Sequence, residues 1–150
     1  MTEPLYDTDF YRWTQMQATA LRAKDVAALD LEHLAEEIES LGKRDRRAVE
    51  SYLEVILLHL LKWAYQPDRR GRSWEKSLLQ ARHRLAKLLR ESPSLASQVP
   101  EFLHEGYPHA RRLAAVETDL PLTTFPATCP WAGEQVLDED FWPGAASDGV

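Results

Sequence analysis

The side chains best suited to chemistry in this sequence are two carboxylates, Asp30 and Glu37, and three nitrogen-bearing groups, His59, Lys62 and Arg82. Together they form the candidate ligand or buried polar cluster. Asp30 and Glu37 sit at the edge of a helical face centred near Leu34 and Ile38, whereas Glu36 points away from it. Seven residues separate them, about 10 Å along a helix, so they cannot chelate one ion together and each needs a partner from another element. The plainer reading makes Asp30 a helix N-cap and Glu37 a rim charge paired with a basic or histidine side chain of the next two helices. His59 falls on a stripe with Tyr52, Ile56 and Trp63. Burial is therefore expected, and a buried imidazole requires a hydrogen-bond partner such as Glu37. Arg69, Arg70 and Arg72, in the turn after Pro67, are the candidate anion-binding group.

Other chemistries find little support. Cys129 is the sole cysteine, so neither an internal disulfide nor a multi-cysteine zinc site is available. It has no evident base or helix N-terminus beside it, and no Cys-x-x-Cys or serine-centred elbow occurs. A di-iron bundle needs paired Glu-x-x-His motifs, and the chain offers only Glu101-x-x-His104. Glycine-rich phosphate loops are absent. No metal and no cofactor are expected. The tryptophans Trp13, Trp63, Trp74, Trp131 and Trp142 read as core rather than as a stacking platform.

The elements that must position these groups are helical throughout. A first helix begins near Asp7 and Thr8, carries Phe10, Trp13, Gln17 and Leu21 on one face, and ends near Lys24. A second starts at Asp30 and places Leu31, Leu34, Ala35, Ile38 and Leu41 on a buried face before Gly42 stops it. The third, about Arg44 to Tyr65, is apolar nearly all round between Val55 and Leu61 and should be the central helix. Ser73 is expected to cap a fourth, with a seam of Trp74, Leu78, Ala81, Leu85 and Leu88. A short helix from Ser92 and Pro93 to Val99 precedes another through Phe102, Leu103, Ala110, Leu113 and Val116, which Pro108 is expected to kink or restart. Pro121, Pro126 and Pro130 then punctuate an irregular stretch that leads to a turn at Val136 and Leu137. The expected fold is all-α: one helical bundle domain of about five to six helices over residues 1–143, with a flexible tail from residue 144 to 150.

The chain has 150 residues with a net charge of −6, and 44% of them are hydrophobic, which suits one globular domain. Charge is unevenly divided: residues 1–42 carry −6, residues 43–90 carry +8 and residues 91–150 carry −8. Nucleic acid and anionic membranes are disfavoured by the overall balance. No signal peptide or membrane span is expected, because the longest apolar run, Val55 to Leu61, is far shorter than the roughly 20 residues a bilayer needs. A cytoplasmic setting follows from the cysteine usage.

Several ordered motifs resemble a known family. They are Leu5-Tyr6-Asp7-Thr8-Asp9-Phe10 with Trp13, Leu29-Asp30-Leu31 leading to Glu36-Glu37-Ile38-Glu39-Ser40-Leu41-Gly42, and His59-Leu60-Leu61-Lys62-Trp63 with Gln66-Pro67. Ser73-Trp74, Arg82, Ser92-Pro93-Ser94-Leu95, the stretch from Tyr107 to Glu117-Thr118, and Cys129-Pro130 with Leu137-Asp138 and Phe141 continue the pattern. Between about Leu5 and Pro143 the sequence resembles the bacterial domain-of-unknown-function family numbered 29, best represented in cyanobacteria and proteobacteria. That resemblance implies a helical protein and supplies no catalytic residues. Since the sequence has helical seams and charge blocks but no complete catalytic set, a non-enzymatic protein-interaction or self-association module is expected, as a homodimer or with a protein partner. The alternatives are a small anionic-ligand-binding protein or an acid–base or metal-assisted enzyme using a pocket of Glu37, His59 and Arg82.

Overall fold

The computed structural model describes residues 3–144. The expected flexible tail therefore lies, from residue 145 onward, outside the described residues. Among the described residues the chain is helical and has no strand, with seven α-helical segments, three of them only one turn or so long. None of these helices is long and apolar enough to cross a membrane. The backbone divides into two compact units, Met1–Arg44 and Asp45–Val150, here called unit 1 and unit 2.

Unit 1 holds α1 (Leu5–Thr8), α2 (Phe10–Arg22), a 3-10 turn (Val26–Ala28) and the first part of α3 (Leu31–Tyr65). Asp9 separates α1 from α2 because its carboxylate accepts from the Arg12 amide at 3.1 Å, an N-cap where the sequence predicts helix interior. Lys24, at φ 58°, turns the chain after α2. Of the face predicted for this helix, Trp13 and Gln17 are buried while Phe10 and Leu21 are exposed.

The expected break at Gly42 does not occur: α3 runs for 35 residues without interruption. A glycine costs about 1 kcal/mol relative to alanine inside a helix, but it stops one only when it adopts a left-handed conformation. No glycine among the described residues has positive φ, and Lys43, Arg44, Arg46 and Arg47 are good helix formers that carry the segment through. From Leu41 to Arg47 every residue is exposed.

Unit 2 contains the rest of α3 with α4 (Arg72–Glu91), α5 (Pro93–Ala96), α6 (Val99–Thr118) and α7 (Gly133–Leu137). Gly71, not Ser73, occupies the N-cap position of α4, so Ser73 lies within the first turn. Pro100 falls in the first turn of α6, where its missing N–H costs nothing, and α6 runs through Pro108 without a restart. The core is built from Val49, Leu53, Ile56, Leu57, Leu60 and Leu61 of α3, Leu78, Ala81 and Leu85 of α4, and Phe102, Leu103, Tyr107, Ala110 and Ala114 of α6. Phe125 and Val136, from the proline-punctuated segment, complete it.

Backbone carbonyls in that irregular segment need donors, because no helix ladder supplies them. Arg82, only 1% exposed, provides them. Its Nε and Nη1 donate to the carbonyls of Val136 and Phe141, each at 2.8 Å, and Nη2 reaches that of Gln135 at 3.3 Å. Nearer α6, Tyr107 Oη donates to the Pro126 carbonyl at 2.6 Å and Arg111 donates twice to that of Phe125. Replacing Arg82 with Met keeps much of the side-chain volume but removes the donor to the Val136 and Phe141 carbonyls, while that of Gln135 keeps the Asp138 amide at 3.3 Å. Urea unfolding of Arg82→Met should therefore show a loss of about 2–4 kcal/mol, with Arg82→Lys only partly restoring it because one ammonium cannot match the fork.

Candidate functional site

In unit 1, both carboxylates singled out from the sequence are already engaged. Asp30 caps α3, its Oδ1 accepting from the His33 amide at 3.3 Å, while Oδ2 accepts from Trp13 Nε1 at 3.2 Å and meets His33 Nδ1 at 2.7 Å. Its own amide donates to Gln17 Oε1 at 2.8 Å, and Gln17 Nε2 donates to the Ala28 carbonyl at 3.2 Å, which fixes the approach to α3. Glu37 accepts a hydrogen bond from the Tyr6 hydroxyl. The Tyr6 ring stacks on His33 with centroids 3.9 Å apart and meets Trp13 edge-on at 4.8 Å. The histidine partner of Asp30 thus comes from the same helix, one turn on, rather than from a later one, and the partner of Glu37 is a tyrosine of α1.

The electrostatics follow from these contacts. Its hydrogen bond to Asp30 raises the His33 pKa above the usual 6.5, with Glu36 and Asp7 adding to the effect and desolvation opposing it. The same bond lowers Asp30 below its usual 3.8. Glu37 pushes the Tyr6 hydroxyl up to about 12, first through the hydrogen bond and then by its charge. Each carboxylate is therefore held as an acceptor by neighbouring donors. This arrangement orders α1, α2 and the start of α3 and leaves neither carboxylate free as a base.

In unit 2, His59 is half-buried. The buried arc of α3 runs through Val49, Leu53, Ile56, Leu57, Leu60, Leu61 and Ala64. At 100° per residue His59 lies about 120° from the centre of that arc, on a flank it shares with the half-buried Tyr52 and Trp63. Its Nδ1 donates to the Val55 carbonyl of its own helix at 2.8 Å, so the imidazole is satisfied without a carboxylate. Burial lowers its pKa, and the charge of Lys62 acts in the same direction. Lys62 is itself buried: its ammonium lies 3.6 Å from Glu117 Oε1 of α6 and 4.7 Å from the centroid of the Trp74 ring of α4. A cation between a carboxylate and an indole face is compensated in place.

Arg82 spends three of its five N–H donors on the carbonyls described above and is only 1% exposed, so it presents no face to a ligand. The five residues singled out from the sequence therefore divide: Asp30 and Glu37 belong to unit 1, His59 and Lys62 share a face of α3 in unit 2, and Arg82 serves the proline-punctuated segment. The arginine turn does not converge either. Arg69 and Arg72 are exposed, whereas Arg70 lies over the Trp63 ring at 5.1 Å and donates from Nε to the Trp63 carbonyl at 2.7 Å.

Cys129 lines a hollow of about 460 Å³ with Tyr107, His104 and Trp131. Burial pushes the thiol up, and Sγ contacts the Trp131 carbonyl at 3.4 Å, which leaves it a protonated donor and not a nucleophile. Among the described residues no group of three or more His, Cys, Asp or Glu side chains could hold a metal ion.

Tyr6, His33 and Glu117 take part in these contacts although they are not among the site candidates that residue type and spacing single out. His33 had a legible signal, since it stands three residues after an N-cap aspartate, whereas Tyr6 and Glu117 reach their partners from elements remote in sequence. More consequential is the predicted apolar face of residues 31–41. Leu31, Ile38 and Leu41 are 63%, 67% and 55% exposed. Conversely, the seams of the third and fourth predicted helices, which with the charge blocks suggest self-association, are largely buried inside unit 2, at Leu53, Ile56 and Leu60 of α3 and Leu78, Ala81 and Leu85 of α4.

The profile of a family described as "Domain of unknown function DUF29" matches residues 5–142. No curated protein and no solved structure matches the chain.

The His33–Asp30 pair sets a pH dependence. Because the His33 pKa is raised, its contribution to stability is full below about 6.5 and declines as pH rises through the folded-state value; the Asp30 contribution is present above 3.8 and lost as pH falls through its lowered value. NMR titration of the His33 ring protons should give a midpoint above 6.5 in the wild type. In Asp30→Asn the midpoint should drop.

Proposed function

We propose, from the premise that the chain belongs to the DUF29 family, that it is a non-enzymatic protein-interaction module whose contact surface is the apolar exterior of unit 1. One observation carries this reading. Among the described residues twelve large apolar side chains are exposed, and eight of them, Phe10, Tyr11, Met16, Leu21, Val26, Leu31, Ile38 and Leu41, belong to unit 1, which is less than a third of the chain. Among the described residues of unit 1 only Trp13, Gln17 and Ala20 are buried. Isolated apolar side chains on a surface are ordinary, but such a concentration on a small unit supports its reading as a contact surface.

The state of the polar groups supports the same reading. Asp30, Glu37, Lys62 and Arg82 each have protein partners that satisfy or compensate them, so none is poised for acid–base work. A homodimer is the simplest form of such association, since one self-complementary patch suffices. The single free thiol, half-buried, is in keeping with a cytoplasmic setting.

A photo-crosslinking amino acid placed at Met16 or Ile38 in cells should form covalent protein adducts, whereas the same group at Val116, an exposed residue of α6 in unit 2, should not. Absence of adducts at both unit 1 positions would overturn the reading. The mass of any adduct distinguishes a second copy of the chain from a different protein.

A further inference from the structure

We propose that the exposed face of α3 formed by Leu31, Ala35, Ile38 and Gly42 docks a cationic amphipathic helix of another protein, whose lysines or arginines lie along Glu32, Glu36 and Glu39. The proposal rests on the reading of unit 1 as the interaction surface and adds the chemistry of the partner.

With Leu31 as origin, Ala35, Ile38 and Gly42 fall at about 40°, −20° and 20° round the helix, a stripe about 60° wide and about 16 Å long. All four residues are exposed. The contacts of α3 within unit 1 lie on its other side, where the Tyr6 ring stacks on His33 and its hydroxyl bonds to Glu37. Large and small residues alternate along the stripe, so the side chains of a second helix can seat over Ala35 and Gly42 between Leu31 and Ile38. Gly42 is in the interior of α3, has no positive φ, and a Cβ built on it would meet nothing within 4 Å. Nothing within the chain requires a glycine there, although it costs the helix about 1 kcal/mol relative to alanine.

Charge identifies the partner. Glu39, Glu32 and Glu36 stand on one flank, at about 70°, 90° and 130° from the centre of the stripe. Whereas Asp9, Asp30 and Glu37 accept hydrogen bonds inside unit 1, these three are exposed and, among the described residues, belong to no ion pair. Lys43 is the cation on that flank, at its C-terminal end, and Asp45, beside the stripe, adds a further negative charge. Carboxylates that border an apolar stripe complement a helix with cations beside its own apolar face, as flanking charges do in coiled coils. An anionic lipid surface would be repelled. A second copy supplies no such cations to this face: an antiparallel pair sets the glutamate flank against itself, and a parallel pair sets it against the flank of Leu34 and Leu41, which has no lysine or arginine before Arg44. Self-association of unit 1 would use its other exposed apolar side chains, those of α2.

The test uses the full chain and two fluorophore-labelled synthetic helices with the same apolar heptad pattern, one flanked by lysines and the other by glutamates. By fluorescence anisotropy the lysine peptide should bind at least about tenfold more tightly than the glutamate peptide, and than a scrambled lysine peptide that has lost the apolar spacing. Its affinity should fall as salt is raised. Glu32→Lys combined with Glu39→Lys, both at exposed positions, should invert the preference with an unchanged circular dichroism spectrum, and Ile38→Ser should weaken the lysine peptide about tenfold. Equal binding of the lysine and glutamate peptides, or a preference that survives the charge reversal, would overturn the cationic partner. Equal binding of the scrambled peptide, or an undiminished affinity in Ile38→Ser, would overturn the stripe. Photo-crosslinks separate these failures from that of the broader reading: adducts from Ile38 at twice 17.2 kDa would make a second copy the occupant and overturn the present proposal alone, whereas no adducts from Met16 or Ile38 would remove both.

Discussion

The structure depends on the continuity of α3. A helix sustains itself by one backbone hydrogen bond per residue, and a single glycine subtracts too little from that ladder to break it when its flanks are favourable. Because the ladder runs on through Gly42, the helix that supplies the Asp30 cap also supplies Leu53, Ile56 and Leu60 to the core of unit 2. Within each unit the helical period of α3 sets which of its side chains turn inward. This phase puts His33 against Tyr6, leaves Ile38 outside and turns His59 to a flank.

Polar residues in this protein are used mainly to hold backbone and rings in place. In unit 1, neutral donors from Tyr6 and Trp13 go to carboxylates, which gives charge-assisted bonds stronger than those between neutral groups. In unit 2 the direction reverses, and cationic Arg82 and Arg111 donate to neutral carbonyls. Both solutions satisfy groups that would otherwise cost on the order of 1–3 kcal/mol each when removed from water. A polar cluster so completely internal in its bonding organises the fold and leaves the apolar exterior of unit 1 as the outstanding feature.

Helix content and type were legible because periodicity reports local geometry: α4 and its seam, the Trp13 and Gln17 face of α2 and the apolar centre of α3 all follow from spacing. Boundaries were harder. Gly42 resembles a stop signal, yet whether a glycine ends a helix is decided by its φ, which the sequence does not encode locally. Burial was legible only where both faces of an element are packed. Leu31, Ile38 and Leu41 carry the same 3.6-residue pattern as a core stripe and yet stand exposed, so spacing alone does not tell the two apart. Candidate site residues failed to converge for a related reason: residue type identifies what Arg82 or Asp30 can donate or accept, while the identity of the acceptor, a carbonyl 54 residues away in the case of Arg82 Nε, depends on tertiary topology.

Arg82 reads peptide carbonyls and no side chains. The atoms it grips at positions 135, 136 and 141 are present whatever residue stands there, so the recognition is indifferent to identity and sensitive only to backbone path. Drift in the exposed residues of this last segment is therefore compatible with an unchanged conformation, provided that Arg82 stays in α4 and Tyr107 and Arg111 stay in α6. Part of the heritable information for the shape of the C-terminal segment is thus stored in helices that precede it.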